Sequence, residues 1–236
     1  MRAHVPSGPL TTSRRGSFWI GTEPIAGPFG TVARGPMYVE WESPAQPSDG
    51  PPWVLVHGGG GQGTDYLTTP DGRPGWSRLL VGDGHTVYVV DRPGHGRSSH
   101  HPDVLGAMAP PPSAEGLRAI FVPPAEGPDS NPAAHLHTQW PGGRAPGEPV
   151  YDQWLAPAGP TLADWSQMHR LEQARLAELL DRVGPAVVVT HSAGGPGAFL
   201  AADARPERVA ALVAIEVVGP PFAKRPGTGL DLAWGL

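Results

Sequence analysis

The residues whose types and spacing carry the clearest chemistry are Thr190-His191-Ser192-Ala193-Gly194. They follow the apolar run Ala186-Val187-Val188-Val189 and precede the helix-forming stretch PGAFLAADA. A serine set between small residues, where a buried strand turns sharply into a helix, is pushed out above the sheet. The turn is too tight for bulky flanking side chains. Such a serine is a nucleophile for acyl transfer; the plainer alternative is an ordinary turn serine. Thr190 stands where this pattern usually has glycine.

A second constellation is His57-Gly58-Gly59-Gly60-Gly61, directly after the apolar run WVLV. Acyl transfer needs N–H donors aimed at the oxygen where negative charge develops. Glycines let a backbone approach closely and bare its N–H groups. The candidate donors are Gly59 or Gly60 from this loop, and Ala193 directly after the serine. A flexible glycine turn is the alternative. A phosphate-binding loop would also be glycine-rich, but its terminal Lys-Ser/Thr is absent. His57 reads as structural, hydrogen-bonding locally to hold the loop.

Glu216 ends the apolar strand after the nucleophile helix, 24 residues beyond Ser192. An acid buried there needs a partner, and a histidine is the natural one. The alternative is a strand-end acid facing solvent. The base itself is the missing member. In this order of chemistry the histidine follows the acid, yet all 10 histidines lie at or before His191. His191 adjoins Ser192, and neighbouring strand residues point to opposite faces. His95, His100, His101, His135 and His137 lie in loops able to approach the serine, each a poor candidate.

The elements that must position these groups are short. SFWIG and MYVEWE, within residues 17–42, read as an opening pair of strands. WVLV and TVYVVD are continuous apolar runs, as strands buried on both faces require. GWSRLLVG fits a short helix. TLADWSQMHRLEQARLAELLDRV fits a long one, capped by Thr161 or Asp164. AVVVTH and the run ending at Glu216 complete a strand–helix alternation, which implies a mostly parallel sheet with helices on both faces. Residues 100–160 differ. They are rich in Pro and Gly, with SAEGLRAIF as one scattered helix candidate, and read as an excursion or cap-like insertion within a single 1–236 domain.

Composition bounds the rest. A chain of 236 residues suits one domain with a real core. Gly and Pro together make about 27% of it, a level that predicts long loops. Net charge is −5 with no basic stripe, which argues against nucleic acid and anionic membranes as partners. The absence of cysteine excludes disulfides, thiolate metal sites and cysteine nucleophiles. No apolar run approaches the ~20 residues of a membrane span. The first residues contain no apolar signal segment, so a cytoplasmic location is expected.

Taken together, these residues resemble bacterial serine esterases of the α/β-hydrolase fold, over roughly residues 17–222. The resemblance is closest to a small carboxylesterase group. In that group the glycine loop runs on into a segment that here reads Thr68-Thr69-Pro70-Asp71-Gly72-Arg73-Pro74-Gly75-Trp76. VYVVDRPGHGRSS, HSAGG and IEVVGPPF match it too. The resemblance implies the α/β-hydrolase fold without its last strands and helices, because the group continues further. It implies Ser192 as nucleophile and Glu216 as triad acid. The substrate expected is a small or medium carboxylic ester, shaped by residues 100–160 and by Trp140, Trp154 and Trp165; packing in the core is the more ordinary role for each of these tryptophans. It implies no metal and no organic cofactor. The chain reads as a C-terminally truncated member, with an unfinished sheet edge open to self-association. A catalytically incomplete, non-catalytic remnant is the alternative, and an amidase, lactonase or peptidase would carry the same motifs.

Overall fold

In the computed structural model, residues 13–122 and 136–218 are described. Eight strands and six helices alternate along them. β1 (Ser13–Ile20), β2 (Pro24–Gly27), β3 (Gly30–Ala33) and β4 (Met37–Pro44) come first. Then follow β5 (Trp53–Val56), α1 (Trp76–Gly82), β6 (Val87–Asp91), α2 (Pro102–Leu105), α3 (Ala114–Phe121) and α4 (Pro149–Leu155). The last are α5 (Trp165–Val183), β7 (Ala186–His191), α6 (Gly195–Ala204) and β8 (Val209–Ile215).

Six of these strands form one sheet in the order β1-β4-β6-β5-β7-β8. β1 pairs antiparallel with β4, and β4 antiparallel with β6. β6, β5, β7 and β8 are mutually parallel. The opening strand pair therefore forms, with a small β2–β3 hairpin between its members.

Apolar runs without alternation become strands covered on both faces. Val54 and Val56 of β5 pack with Leu176, Leu179 and Leu180 of α5 and Ala198 and Ala201 of α6. Leu55, between them in sequence, packs the opposite way, with Val81 of α1, Val89 and Val189. The period of two sends successive side chains to opposite faces, so helices are needed on both. α5 starts where Asp164 Oδ1 accepts the Gln167 N–H at 3.0 Å, satisfying one otherwise unpaired donor of its first turn. Asp164, rather than Thr161, is the cap.

The chain order reverses at β5. β6 lies on one side of it, β7 and β8 on the other. A crevice opens at the carboxyl ends of parallel strands at such a reversal. The loop after β5 carries His57–Gly61, and the turn after β7 carries Ser192. Topology alone thus brings the two constellations together from more than 130 residues apart in sequence.

β8 is an edge. Val213 is 41% exposed, and the strand shows none of the full burial seen in β5 or β7. Among the described residues no helix is long and apolar enough to cross a membrane.

Candidate active site

Ser192 has φ +49°, one of two non-glycine residues with positive φ among those described; Glu216, at +43°, is the other. That region costs a residue with a Cβ on the order of 1–3 kcal/mol, so it persists only where the surroundings over-determine it. Here they do. β7 runs directly into α6 through Ser192, and Gly194 lies against the backbone of the glycine loop. A Cβ at Gly194 would stand 2.4 Å from the His57 carbonyl oxygen. A Cβ at Gly58 would stand 3.1 Å from Ser192 Cβ. Neither position has room for a side chain, and that is what lets the serine turn touch the loop.

The sequence-derived candidates converge. The Cβ position of Gly59 is 3.1 Å from Ala193 Cβ, so the two proposed donor residues are neighbours. Gly60 adopts φ +67° and its carbonyl accepts the Gly159 N–H at 2.8 Å, tying the loop to the end of the 100–160 excursion. Gly58, Gly59, Gly60 and Ser192 all line one cavity of about 590 Å³. Leu117 and Phe121 of α3 and Trp154 of α4 form its apolar wall. Thr68, Thr69 and Pro70 also line it. Trp154 is held by edge contacts with Trp140, at 5.3 Å between ring centres, and with Phe121, at 6.2 Å. Trp165 lies apart, against His169.

The histidines are placed unequally. His57 is buried; its Nδ1–H donates to the Gly58 carbonyl at 2.8 Å and its Nε2 accepts the Arg92 backbone N–H at 3.0 Å. Burial, then the nearby Arg92 charge, hold it well below the usual imidazole range, so it is a neutral brace. His95 is buried against Arg92 and the Pro93 carbonyl, and burial pushes it down to about 3. His100 bonds the Gly106 carbonyl at 3.0 Å, His137 is exposed, and His135 lies outside the described residues. The hydrogen bonds of His57, His95 and His100 go to partners other than Ser192 Oγ.

Two findings differ from the reading of the sequence. His191 does not face away from Ser192: both line the cavity. Strand alternation ends at His191, and the positive φ of Ser192 swings the next side chain round. Burial lowers the His191 pKa, against the opposing pull of Glu216. Glu216 itself is exposed rather than buried. It follows β8, and among the described residues no further strand lies beside β8. The chain just beyond it returns to the serine turn, with the Val218 N–H donating to the Ser192 carbonyl at 3.1 Å.

Sequence reasoning missed Asp91, Arg92, Asp65 and Glu172. Asp91 is buried at the end of β6. It accepts the Gly63 N–H at 2.6 Å and the Arg97 N–H at 2.7 Å, which locks the loops after β5 and β6 together. Asp65 accepts the Gln62 N–H at 3.2 Å and lines the cavity. Asp65 is exposed. Desolvation of the carboxylate by the protein around it, with the Asp91 charge adding to it and the Gln62 N–H opposing it, pushes its pKa up to about 6. The Asp-Arg-Pro-Gly-His-Gly-Arg-Ser string was the available signal, but nothing local to it reveals which side chains fold inward.

A mixed sheet with helices on both faces defines the class: a doubly covered α/β protein, here with a serine of positive φ at the turn from β7 into α6. Residues 51–231 match the family model described as alpha/beta hydrolase fold. The chain belongs to that family. It is 39% identical over 201 residues to a protein described as probable secreted lipase phiG, from Fungal sp. (strain ATCC 74256). The match covers 85% of this chain and 54% of that protein, so the chain spans about half the length of this curated relative. The word "secreted" in that description does not fit the cytoplasmic expectation. A solved structure described as a novel bacterial esterase superposes with a TM-score of 0.70 at 24% identity. It covers 91% of this chain and 71% of its own. That likeness confirms the expected fold.

Proposed function

We propose that this chain carries the nucleophile and oxyanion-binding half of a serine esterase acting on small or medium carboxylic esters. The observation that carries the reading is Ser192 at φ +49° on the turn from β7 to α6, facing the glycine loop across a shared cavity. Ser192 Oγ attacks the ester carbonyl. The N–H groups of Gly59 or Gly60 and of Ala193 receive the charge that develops on the carbonyl oxygen. The bond to the alcohol oxygen then breaks, and water releases the acid from Ser192. Glu216 is the acid that orients a histidine base, which takes the proton from Ser192 as it attacks and gives it to the leaving alcohol oxygen; no histidine of the 236 residues follows Glu216 to fill that place. The apolar wall of Leu117, Phe121 and Trp154 receives the hydrocarbon part of the substrate, and residues 100–160 act as its cap. The chemistry needs no metal or organic cofactor.

A second reading has one observation in its favour: Glu216 is exposed rather than buried. In it, the chain binds esters without turning them over.

The test is hydrolysis of a short-chain p-nitrophenyl ester by the purified chain, with Ser192→Ala as control. Rapid turnover abolished in the variant supports the esterase. A folded chain at the variant's rate supports the second reading. Turnover that survives Ser192→Ala overturns both.

A further inference from the structure

Arg92 follows the strand β6 in a loop rich in Pro and Gly, where an arginine ordinarily points to solvent. Here it is fully buried. Its Nη1 pairs with Glu172 Oε1 of α5 at 2.6 Å and also reaches the Ala193 carbonyl at 3.3 Å. Its Nη2 donates to the Gly58 carbonyl at 2.9 Å and approaches His95 Nε2 at 3.3 Å. One planar fork thus holds the carbonyl before Gly59 and the carbonyl of Ala193 at the same time.

The pair is poorly built for stability. Burying two charges costs several kcal/mol per ion before any attraction is counted, and apolar replacements of such pairs are often neutral or better. Arg92 Nε and Glu172 Oε2 also have no hydrogen-bond partner. Burial pushes the Glu172 carboxyl up, against the opposing pull of Arg92. What the arrangement does secure is direction. A trans peptide points its C=O and the following N–H to opposite sides. The Gly58 carbonyl is drawn inward by two donors, Arg92 Nη2 and His57 Nδ1 at 2.8 Å. The Gly59 N–H of the same peptide must therefore point outward, away from the buried fork. The Ser192 carbonyl, held by the Val218 N–H, turns the Ala193 N–H by the same rule.

We infer that Arg92 is a positioning residue for the oxyanion site, with Glu172 fixing its fork: it orients the Gly59 N–H and locks the glycine loop to the serine turn. This rests on the esterase reading for its purpose, but the hold on the loop is testable without it.

Two variants separate positioning from mere stability. Arg92→Met with Glu172→Met removes both charges and keeps the volume; Arg92→Lys keeps the charge for Glu172 but lacks a planar fork. Each is compared with the wild-type chain in three ways. These are melting temperature, the Gly59 amide resonance in 15N-glycine-labelled protein, and the rate of Ser192 phosphonylation by a fluorophosphonate, read by intact mass. The double variant is expected to melt close to wild type, yet to show a shifted or broadened Gly59 resonance. Both variants are expected to label about 100-fold more slowly, the scale of a 1 Å misplacement at a reacting centre. Gly184, remote from the site, should not move. Wild-type labelling rates in a folded variant overturn the positioning role, as does an unmoved Gly59 resonance in both. A wild-type chain that does not label, while Gly59 moves in the variants, sinks the esterase reading and leaves the hold of Arg92 on the loop standing.

Discussion

Gly194 lies so close to His57 that a Cβ on it would stand 2.4 Å from the His57 carbonyl oxygen. Two elements distant in sequence meet there at backbone contact, the turn bearing the serine and the loop bearing the glycines. Gly194→Ala should therefore push them apart. Overpacking of this kind costs about 1–3 kcal/mol, and each kcal/mol lowers the melting temperature of a chain this size by ~2–4 °C. Calorimetry measures the loss. Phosphonylation of Ser192 should fall in the same variant; an alanine variant that melts and labels like wild type would mean the contact is looser than described.

Acid stability should depend on His95. Its pKa in the folded chain is about 3, against an ordinary 6.5. Between those values the unfolded chain binds a proton at this ring that the folded chain does not. Stability therefore falls as pH drops from about 6.5 towards 3. His57, buried and lowered in the same direction, adds to the slope. His95→Gln should flatten the dependence, as read from urea midpoints at pH 7 and pH 4. An unchanged slope would remove His95 as the cause.

Asp65 should act with the opposite sign. Its carboxyl is raised from 3.8 to about 6, so the folded chain holds a proton there that the unfolded chain has released. Stability through this group falls as pH rises across that interval. Asp65→Asn, which keeps an oxygen for the Gln62 N–H, should be more stable relative to wild type at pH 7 than at pH 4. Because the carboxylate is reachable by solvent, the effect is expected to be small. Equal differences at both pH values would show that Asp65 titrates normally.

The apolar wall should decide which esters fit. Trp154 sits between Phe121 and Trp140 and faces the cavity. Burying an aromatic group of a ligand against it is worth roughly 1.5–3 kcal/mol. Trp154→Ala should weaken binding of an aryl methyl ketone, an uncleavable ester mimic, by about tenfold or more. Saturation-transfer NMR reads this directly. Unaltered binding would place the hydrocarbon part of the substrate on another wall.

Self-association should run through β8. Its outer edge has no partner strand among the described residues, and Val213 is 41% exposed on it. A charge on an open edge blocks pairing with another chain. Val213→Lys should shift sedimentation towards monomer. A wild-type chain that is monomeric at high concentration would refute the prediction.

Much of this protein is local in origin, and the sequence by itself determined that much. WVLV, VYVVD and AVVVTH are strands because short, nearly continuous apolar runs rich in valine suit a sheet covered on both sides. α5 is a helix because its apolar residues recur at helical spacing behind an Asp164 cap. Ser192 and the glycine loop were legible for the same reason, since strand, turn and helix are written in consecutive residues. Tertiary structure decided what depends on approach across the chain. Nothing in the consecutive residues around Arg92 marks it as buried. Glu172, 80 residues away, and two backbone carbonyls make it a buried fork. His191 was expected to face away from Ser192, but a single positive φ turned them into one cavity. Glu216 was expected to be buried, but its strand is the last in the described sheet. Residues 100–160 carry no period to read, yet α3 and α4 wall the cavity because the reversal at β5 leaves a crevice beneath them. Spacing along the chain records which element forms. Which side chains are buried together is set by the packing of those elements, where burial energies and backbone contacts from distant residues are summed.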